Sequence, residues 1–280
     1  MRKSSRTAIG VAALRAAHQL IDAEPRVLDD AVILRLIGIE TLDTIREDRE
    51  RYRTPGALAL RAHIVMRSRY AEDRLAQAVA RGVTQYVILG AGLDTFAYRQ
   101  PAWAQALRIV EIDRAPMQRE KRERLSLAQV VIPGNVTFGS IDFESERLAD
   151  ALLRYGIAPK QPTFFSWLGV TMYLTENAVT DVLRVVAGFP RGSEIVFTFA
   201  RKASDGAIDE GSARLAELAA AAGEPWITYF DPNEMPSRLH ALGFSAVELL
   251  DPEDAAKRYF SARKDNLPPP RHSSIVSAIV

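Results

Sequence analysis

Two glycines and three acids stand where a small ligand can be held. The apolar run Tyr86-Val87-Ile88-Leu89 enters Gly90-Ala91-Gly92-Leu93-Asp94-Thr95. Glycines at 90 and 92 let the backbone turn sharply and let a ligand approach where a Cβ would collide. The next apolar run, Arg108-Ile109-Val110-Glu111-Ile112-Asp113, delivers carboxylates at its end. A carboxylate there can accept hydrogen bonds from the 2′- and 3′-hydroxyls of a ribose. Asp113 is the preferred acceptor, with Glu111 left to the strand interior or a neighbouring amine. Its competing role is to cap a helix beginning at Ala115-Pro116. Asp142 can accept from an adenine amino group while the N–H of Phe143 donates to a ring nitrogen, or it can cap a helix beginning at Glu144.

These residues need elements to position them. Short β-rich runs at 85–89, 108–112, 136–141, 163–168, 194–199 and 244–250 alternate with helical segments at 117–128, 144–155, 175–187, 207–222 and 232–242. Such alternation predicts an α/β fold, a parallel sheet with helices on both faces. A last run, Ser274–Val280, follows Pro268-Pro269-Pro270 and predicts a seventh strand. Up to about residue 82 the pattern is helical. Asp29 and Asp30 can cap a helix that Gly38 ends, and a long helix is predicted from about Leu58 towards Gly82. The expected organisation is one domain over 1–280, with 1–82 a helical cap on a core spanning 83–280.

Composition excludes several chemistries. There is no cysteine, which removes thiolates, disulfides and Cys-ligated metals, and four histidines leave little for a metal site, so no metal is expected. Lys and Arg total 36 against 35 Asp and Glu, so bulk charge points to neither nucleic acid nor a membrane surface. The start is basic, yet Ile9, Ala12, Ala13, Ala16, Ala17, Leu20 and Ile21 fall at helical spacing, which describes a packed amphipathic helix rather than a removed leader. A cytoplasmic location is expected.

Taken in order, Ser5-Arg6-Thr7-Ala8, Arg67-Ser68-Arg69-Tyr70-Ala71-Glu72-Asp73, Leu89–Thr95 with Ala97-Tyr98-Arg99, Glu111-Ile112-Asp113 and Met172-Tyr173-Leu174 resemble the leucine carboxyl methyltransferase family, and its bacterial branch in particular. The resemblance implies a class I methyltransferase (Rossmann-like) sheet of seven strands, the last antiparallel. It also implies S-adenosyl-L-methionine over the first loop, with Asp113 at the ribose and Asp142 and Phe143 at the adenine. A basic residue before the sheet would meet the methionine carboxylate; Arg67 is favoured over Arg69 because His63, Arg67, Tyr70 and Arg74 share a helical face. The chain departs from the family's pattern at Phe96, where an arginine is usual, and in Ser166-Trp167-Leu168-Gly169, where many members carry a glutamate. The methionine amine would then meet backbone carbonyls or another acid such as Asp94.

The expected reaction is O-methylation of a small-molecule carboxylate or hydroxyl. Its pocket is expected between the cap and Gly223–Phe230, with Trp226, Tyr229, Phe230 and Tyr173 as candidate walls. No catalytic base is assigned; His63 and His240 are the histidines to examine. Two other readings compete: a protein that binds the nucleoside without turnover, and a nicotinamide-dependent oxidoreductase. Thr95 replaces the third glycine of the oxidoreductase fingerprint.

Overall fold

The computed structural model describes residues 5–272 and 274–280; Arg2 and Lys3 of the basic start lie outside them. Seven strands run β1 (Gln85–Leu89), β2 (Arg108–Asp113), β3 (Val136–Ser140), β4 (Thr163–Trp167), β5 (Glu194–Thr198), β6 (Ala246–Leu249) and β7 (Ile275–Ile279). Their order across the sheet is β3-β2-β1-β4-β5-β7-β6. The first five are parallel, and β7 is antiparallel to both β5 and β6. The order reverses at β1, which pairs with β2 on one side and β4 on the other, so the carboxyl ends of these strands frame a crevice.

Alternating side chains of β1 serve two cores, as a strand's period of two requires. Val87 and Leu89 join Leu152, Val182, Val186 and Leu239, contributed by α6 (Leu148–Arg154), α7 (Glu176–Ala187) and α9 (Met235–Leu242). Tyr86 and Ile88 face Val65, Met66, Tyr70 and Leu75 of α4 (Pro55–Ala80). A third cluster joins α1 (Arg6–Ile21), α2 (Ala31–Leu36) and α3 (Ile39–Glu47) to Leu93 and to Met117 and Leu125 of α5 (Ala115–Leu127). No helix of the described residues is long and apolar enough to cross a membrane.

Differences from the sequence expectation have local causes. Helix α4 begins at Pro55 rather than Leu58, because Thr54 Oγ1 accepts from Ala57 N and proline suits the first helical turn. Helix α6 begins at Leu148 rather than Glu144. Residues 142–146 form a turn in which Asp142 Oδ1 accepts from Glu144 N, so Asp142 caps no helix. Helix α8 spans Glu210–Ala221, inside the predicted 207–222, and α9 starts at Met235. The sequence reading has no counterpart for α3, which Gly38 opens at φ +87°, or for α10 (Pro252–Tyr259), capped by Asp251. Between β1 and β2 the chain makes only two single helical turns, at Phe96–Tyr98 and Ala102–Ala104.

Candidate functional site

A cavity of about 880 Å³ lies over the carboxyl ends of β1 to β4, roofed by α1 and by the segment 222–227. Arg67, Gly90, Gly92, Asp113, Asp142 and Phe143 all line it, brought there from α4 and from three different strand ends.

The glycine turn requires glycine. Gly90 has φ +65° and Gly92 φ +47°. A Cβ on Gly90 would stand 2.3 Å from Cγ2 of Val170, so Gly90 also makes room for the loop after β4. Asp113 does not cap α5, whose N-terminus has no side-chain cap. Its Oδ2 accepts from Gly92 N at 2.6 Å and its Oδ1 from Arg114 N at 2.6 Å. The carboxylate is thereby fixed beside the turn, its remaining lone pairs available to the cavity. Burial raises its pKa above the usual carboxylate range, against the lowering effect of the two N–H donors. Glu111, two residues earlier, is fully buried and pairs with Lys121 Nζ at 2.6 Å, while Tyr98 Oη donates to it at 2.9 Å. It belongs to the interior.

Arg67 and Arg69 go separate ways. Arg69 turns outward to Asp73 at 2.8 Å. Arg67 enters the cavity, its guanidinium lying over Gly169, where an added Cβ would stand 2.8 Å from both terminal nitrogens. No described residue forms an ion pair or hydrogen bond with it. Burial pushes its pKa down to about 10, so it remains a cation at neutral pH. The helical face shared with His63, Tyr70 and Arg74 does not act as a unit. Tyr70 is buried in the second core, and Arg74 pairs with Glu194 and Glu248.

A charged network beneath the turn joins it to the helical region. Arg15 donates to Leu93 O at 3.0 Å and pairs with buried Asp30. Asp30 caps α2 through Ile33 N and accepts from Thr95 Oγ1 at 2.8 Å. Arg99 reaches Thr95 at 3.1 Å and Glu72 at 3.0 Å. At the mouth, Glu224 Oε2 accepts from Ser5 Oγ at 3.0 Å and Thr7 N at 2.9 Å, linking α1 to the segment opposite.

Some expected residues are elsewhere. Neither His63 nor His240 lines the cavity. Burial, then the Arg67 charge, push His63 down to about 3, and His240 Nδ1 contacts Phe244 O at the end of α9. Of the aromatic candidates only Tyr173 lines the cavity. Phe230 packs on Phe199 in the core, Tyr229 lies against Trp226 with ring centroids 6.3 Å apart, and Trp226 meets Tyr173 edge-on at 6.4 Å. The expected segment 223–230 does line it, through Gly223, Glu224, Pro225 and Ile227 rather than through its aromatic residues, and Arg15, given no role from the sequence, lines it as well. In the sequence Arg15 only interrupts an alanine-rich helix, and the contacts that give it a role are 15 to 80 residues away.

Residues 8–187 match the family described as leucine carboxyl methyltransferase. A Bacillus subtilis (strain 168) protein named "Putative S-adenosyl-L-methionine-dependent methyltransferase YktD" is 32% identical over 296 residues, 95% of each chain. The chain belongs to the leucine carboxyl methyltransferase family. A second family relative, "Putative S-adenosyl-L-methionine-dependent methyltransferase FRAAL3718" of Frankia alni, is 30% identical over 266 residues, covering 90% of this chain and 86% of its own. A solved "putative methyltransferase" from Thermobifida fusca YX shares the fold at TM-score 0.56 and 17% identity, covering 99% of this chain and 94% of its own. The sheet and its antiparallel last strand are those of class I methyltransferases. This family member is an S-adenosylmethionine-dependent methyltransferase. The oxidoreductase reading has no support in the site. No α-helix follows the glycine turn to set its N-terminus on a pyrophosphate, and Thr95 is buried in the network beneath.

Proposed function

We propose that this methyltransferase acts in the cytoplasm on a small molecule, and that it methylates an oxygen, a carboxylate in preference to a hydroxyl. In this reading Asp113 takes the ribose hydroxyls, Asp142 and the Phe143 N–H take the adenine edge, and Arg67 takes the methionine carboxylate. The donor set fits: an unpaired, half-buried cation and an N–H-anchored carboxylate face the same cavity as the glycine turn. Bound there, S-adenosylmethionine supplies a methyl group activated by its sulfonium.

The remaining work of the chain is alignment and exclusion of water. The cavity is near the upper end of the roughly 300–1,000 Å³ typical of small-molecule sites. Beyond the proposed nucleoside positions, its walls include Val11, Ile64, Leu168, Pro225 and Ile227, an apolar surround for an acceptor. Tyr173 and Thr7 bring hydroxyls to this end. Burial raises the Tyr173 pKa, so its hydroxyl stays protonated and can donate to an acceptor oxygen.

What supports the preference for a carboxylate is that Tyr173 and Thr7 bring hydroxyls that can donate to an acceptor's oxygens, while no histidine among the described residues lines the cavity. A carboxylate is ionised at neutral pH and needs no base, whereas a phenol, with a pKa near 10, benefits from one. The link from Glu224 to α1 narrows the mouth and supports a small acceptor over a folded protein.

The test is incubation with donor labelled in its methyl group and a panel of carboxylic acids and phenols. Label released as methanol by mild base, the signature of an ester, is expected. Base-stable label on phenols would contradict the carboxylate preference. Transfer to a protein and to no small molecule would contradict the choice of acceptor class.

A further inference from the structure

We propose that Asp94 receives the α-ammonium group of the cofactor's methionine end, forming with Arg67 a two-charge clamp for a zwitterion. This rests on the reading above that the cavity holds S-adenosylmethionine.

Five carboxylates line the cavity: Asp94, Asp113, Asp142, Glu144 and Glu224. Asp113 has both oxygens anchored, to Gly92 N and Arg114 N. Glu144 has both anchored by Thr175, through N at 2.7 Å and Oγ1 at 2.9 Å. Asp142 follows β3, the outer strand of the sheet, and Glu224 is engaged by Ser5 Oγ and Thr7 N at the start of α1. Asp94 alone of the five stands in the turn after β1, at the point where the strand order reverses towards β4. The Arg67 guanidinium is held over Gly169, in the loop after β4.

The Asp94 carboxylate is oriented but not consumed. Its Oδ1 accepts from Phe96 N at 2.8 Å, and no described donor meets Oδ2. Asp94 and Arg67 are near enough for the charge of Asp94 to stabilise the guanidinium, yet they form neither a hydrogen bond nor an ion pair with each other. Opposite charges that line one cavity and do not touch leave a gap of defined polarity. An α-amino acid fills that gap with its carboxylate on Arg67 and its ammonium on Asp94, each gaining a charge-assisted hydrogen bond. A ligand carrying only a carboxylate would satisfy Arg67 and leave Asp94 facing it.

The experiment is a calorimetric titration with S-adenosylhomocysteine and with its deamino analogue, which keeps the nucleoside, sulfur and carboxylate but carries hydrogen in place of the amine. Both ligands are titrated into the intact protein and into Asp94→Asn. Asparagine retains an oxygen for Phe96 N while removing the charge. The unsubstituted protein is expected to prefer S-adenosylhomocysteine by about tenfold or more, and Asp94→Asn to bind the two ligands within about twofold. Weakening by loop damage would lower both affinities together and leave the preference intact. An undiminished preference in Asp94→Asn overturns the proposal. Failure of the unsubstituted protein to bind either ligand would instead overturn the reading of the cavity on which it rests. Should Asp94→Asn not fold, Asp94→Glu, whose charge sits one methylene further out, is expected to reduce the preference several-fold; an unchanged preference there also overturns it.

Discussion

Arg15, in the middle of the first helix, donates to the carbonyl oxygen of Leu93 at 3.0 Å, inside the glycine-bearing turn. The same guanidinium pairs with Asp30, which is fully buried. Removing one partner of a buried pair leaves the other uncompensated, which costs about 3–5 kcal/mol. Arg15→Leu should therefore destabilise the protein by about that amount and weaken S-adenosylhomocysteine binding through the loosened turn. Urea denaturation and titration measure the two effects. Because this contact ties the helical region to the sheet, both are expected to unfold in one transition, with far- and near-ultraviolet circular dichroism coincident. Separate transitions would show that 1–82 is not an integral cap.

Gly90→Ala should fail at the turn itself. A left-handed backbone costs a residue with a β-carbon about 1–2 kcal/mol, and forcing a methyl against Val170 costs about 1–3 kcal/mol more. The added atom would lie 2.3 Å from Val170 Cγ2. Gly90→Ala combined with Val170→Ala should recover part of the stability, since it removes the overlap and leaves the backbone strain. Urea midpoints of the two variants decide this; no recovery would mean that the Val170 contact is unimportant.

Cofactor affinity should depend on pH through Asp113. Its pKa is raised by burial above the ordinary value of 3.8. Protonation turns an acceptor into a partial donor, so binding is strongest above the raised pKa and falls as pH drops through it. The fall should begin at a higher pH than a solvated aspartate would give. Calorimetry across mildly acidic pH checks this, with Asp113→Asn expected to flatten the profile. An equal fall in Asp113→Asn would assign it to another group.

Acid stability should follow Asp22 and Asp30. Burial alone would raise their pKa values, but His18 and Arg61 hold Asp22 lower, and Arg15 and Arg99 hold Asp30 lower. Groups depressed in the folded state contribute stability that is fully present above the unfolded value, near 3.8, and is lost as pH falls through the folded value. Asp30→Asn should lower the thermal midpoint at neutral pH and reduce the slope of stability against pH below about pH 4. An unchanged slope would remove Asp30 from the acid transition.

The parts of the fold legible in the sequence are those set by short-range pattern. The run before Gly90, the acids closing β2 and following β3, and the helical spacing in α1 and α4 each announce an element within a dozen residues. Asp113 could be preferred to Glu111 because it closes the run, where a carboxylate can meet a ligand at the sheet end, whereas Glu111 lies two residues inside the strand. What could not be read depends on contacts distant along the chain. Glu224 gains its role from Ser5 and Thr7, more than 200 residues away. The segment 223–230 runs without regular structure for most of its length, so no periodicity shows that Ile227 faces the cavity while Trp226 packs edge-on against Tyr173. His63 carried the right residue type at the right spacing, yet it lies outside the cavity wall.

The central claim is that the cavity over β1 and β2 holds S-adenosylmethionine with its ribose on Asp113. Calorimetric titration of the protein and of Asp113→Ala with S-adenosylmethionine tests it most directly. Loss of the charged hydrogen bonds should weaken binding by about 1–3 kcal/mol in a variant that remains folded. Unchanged affinity in the folded Asp113→Ala variant would contradict the placement of the ribose and, with it, the orientation of the cofactor in the cavity.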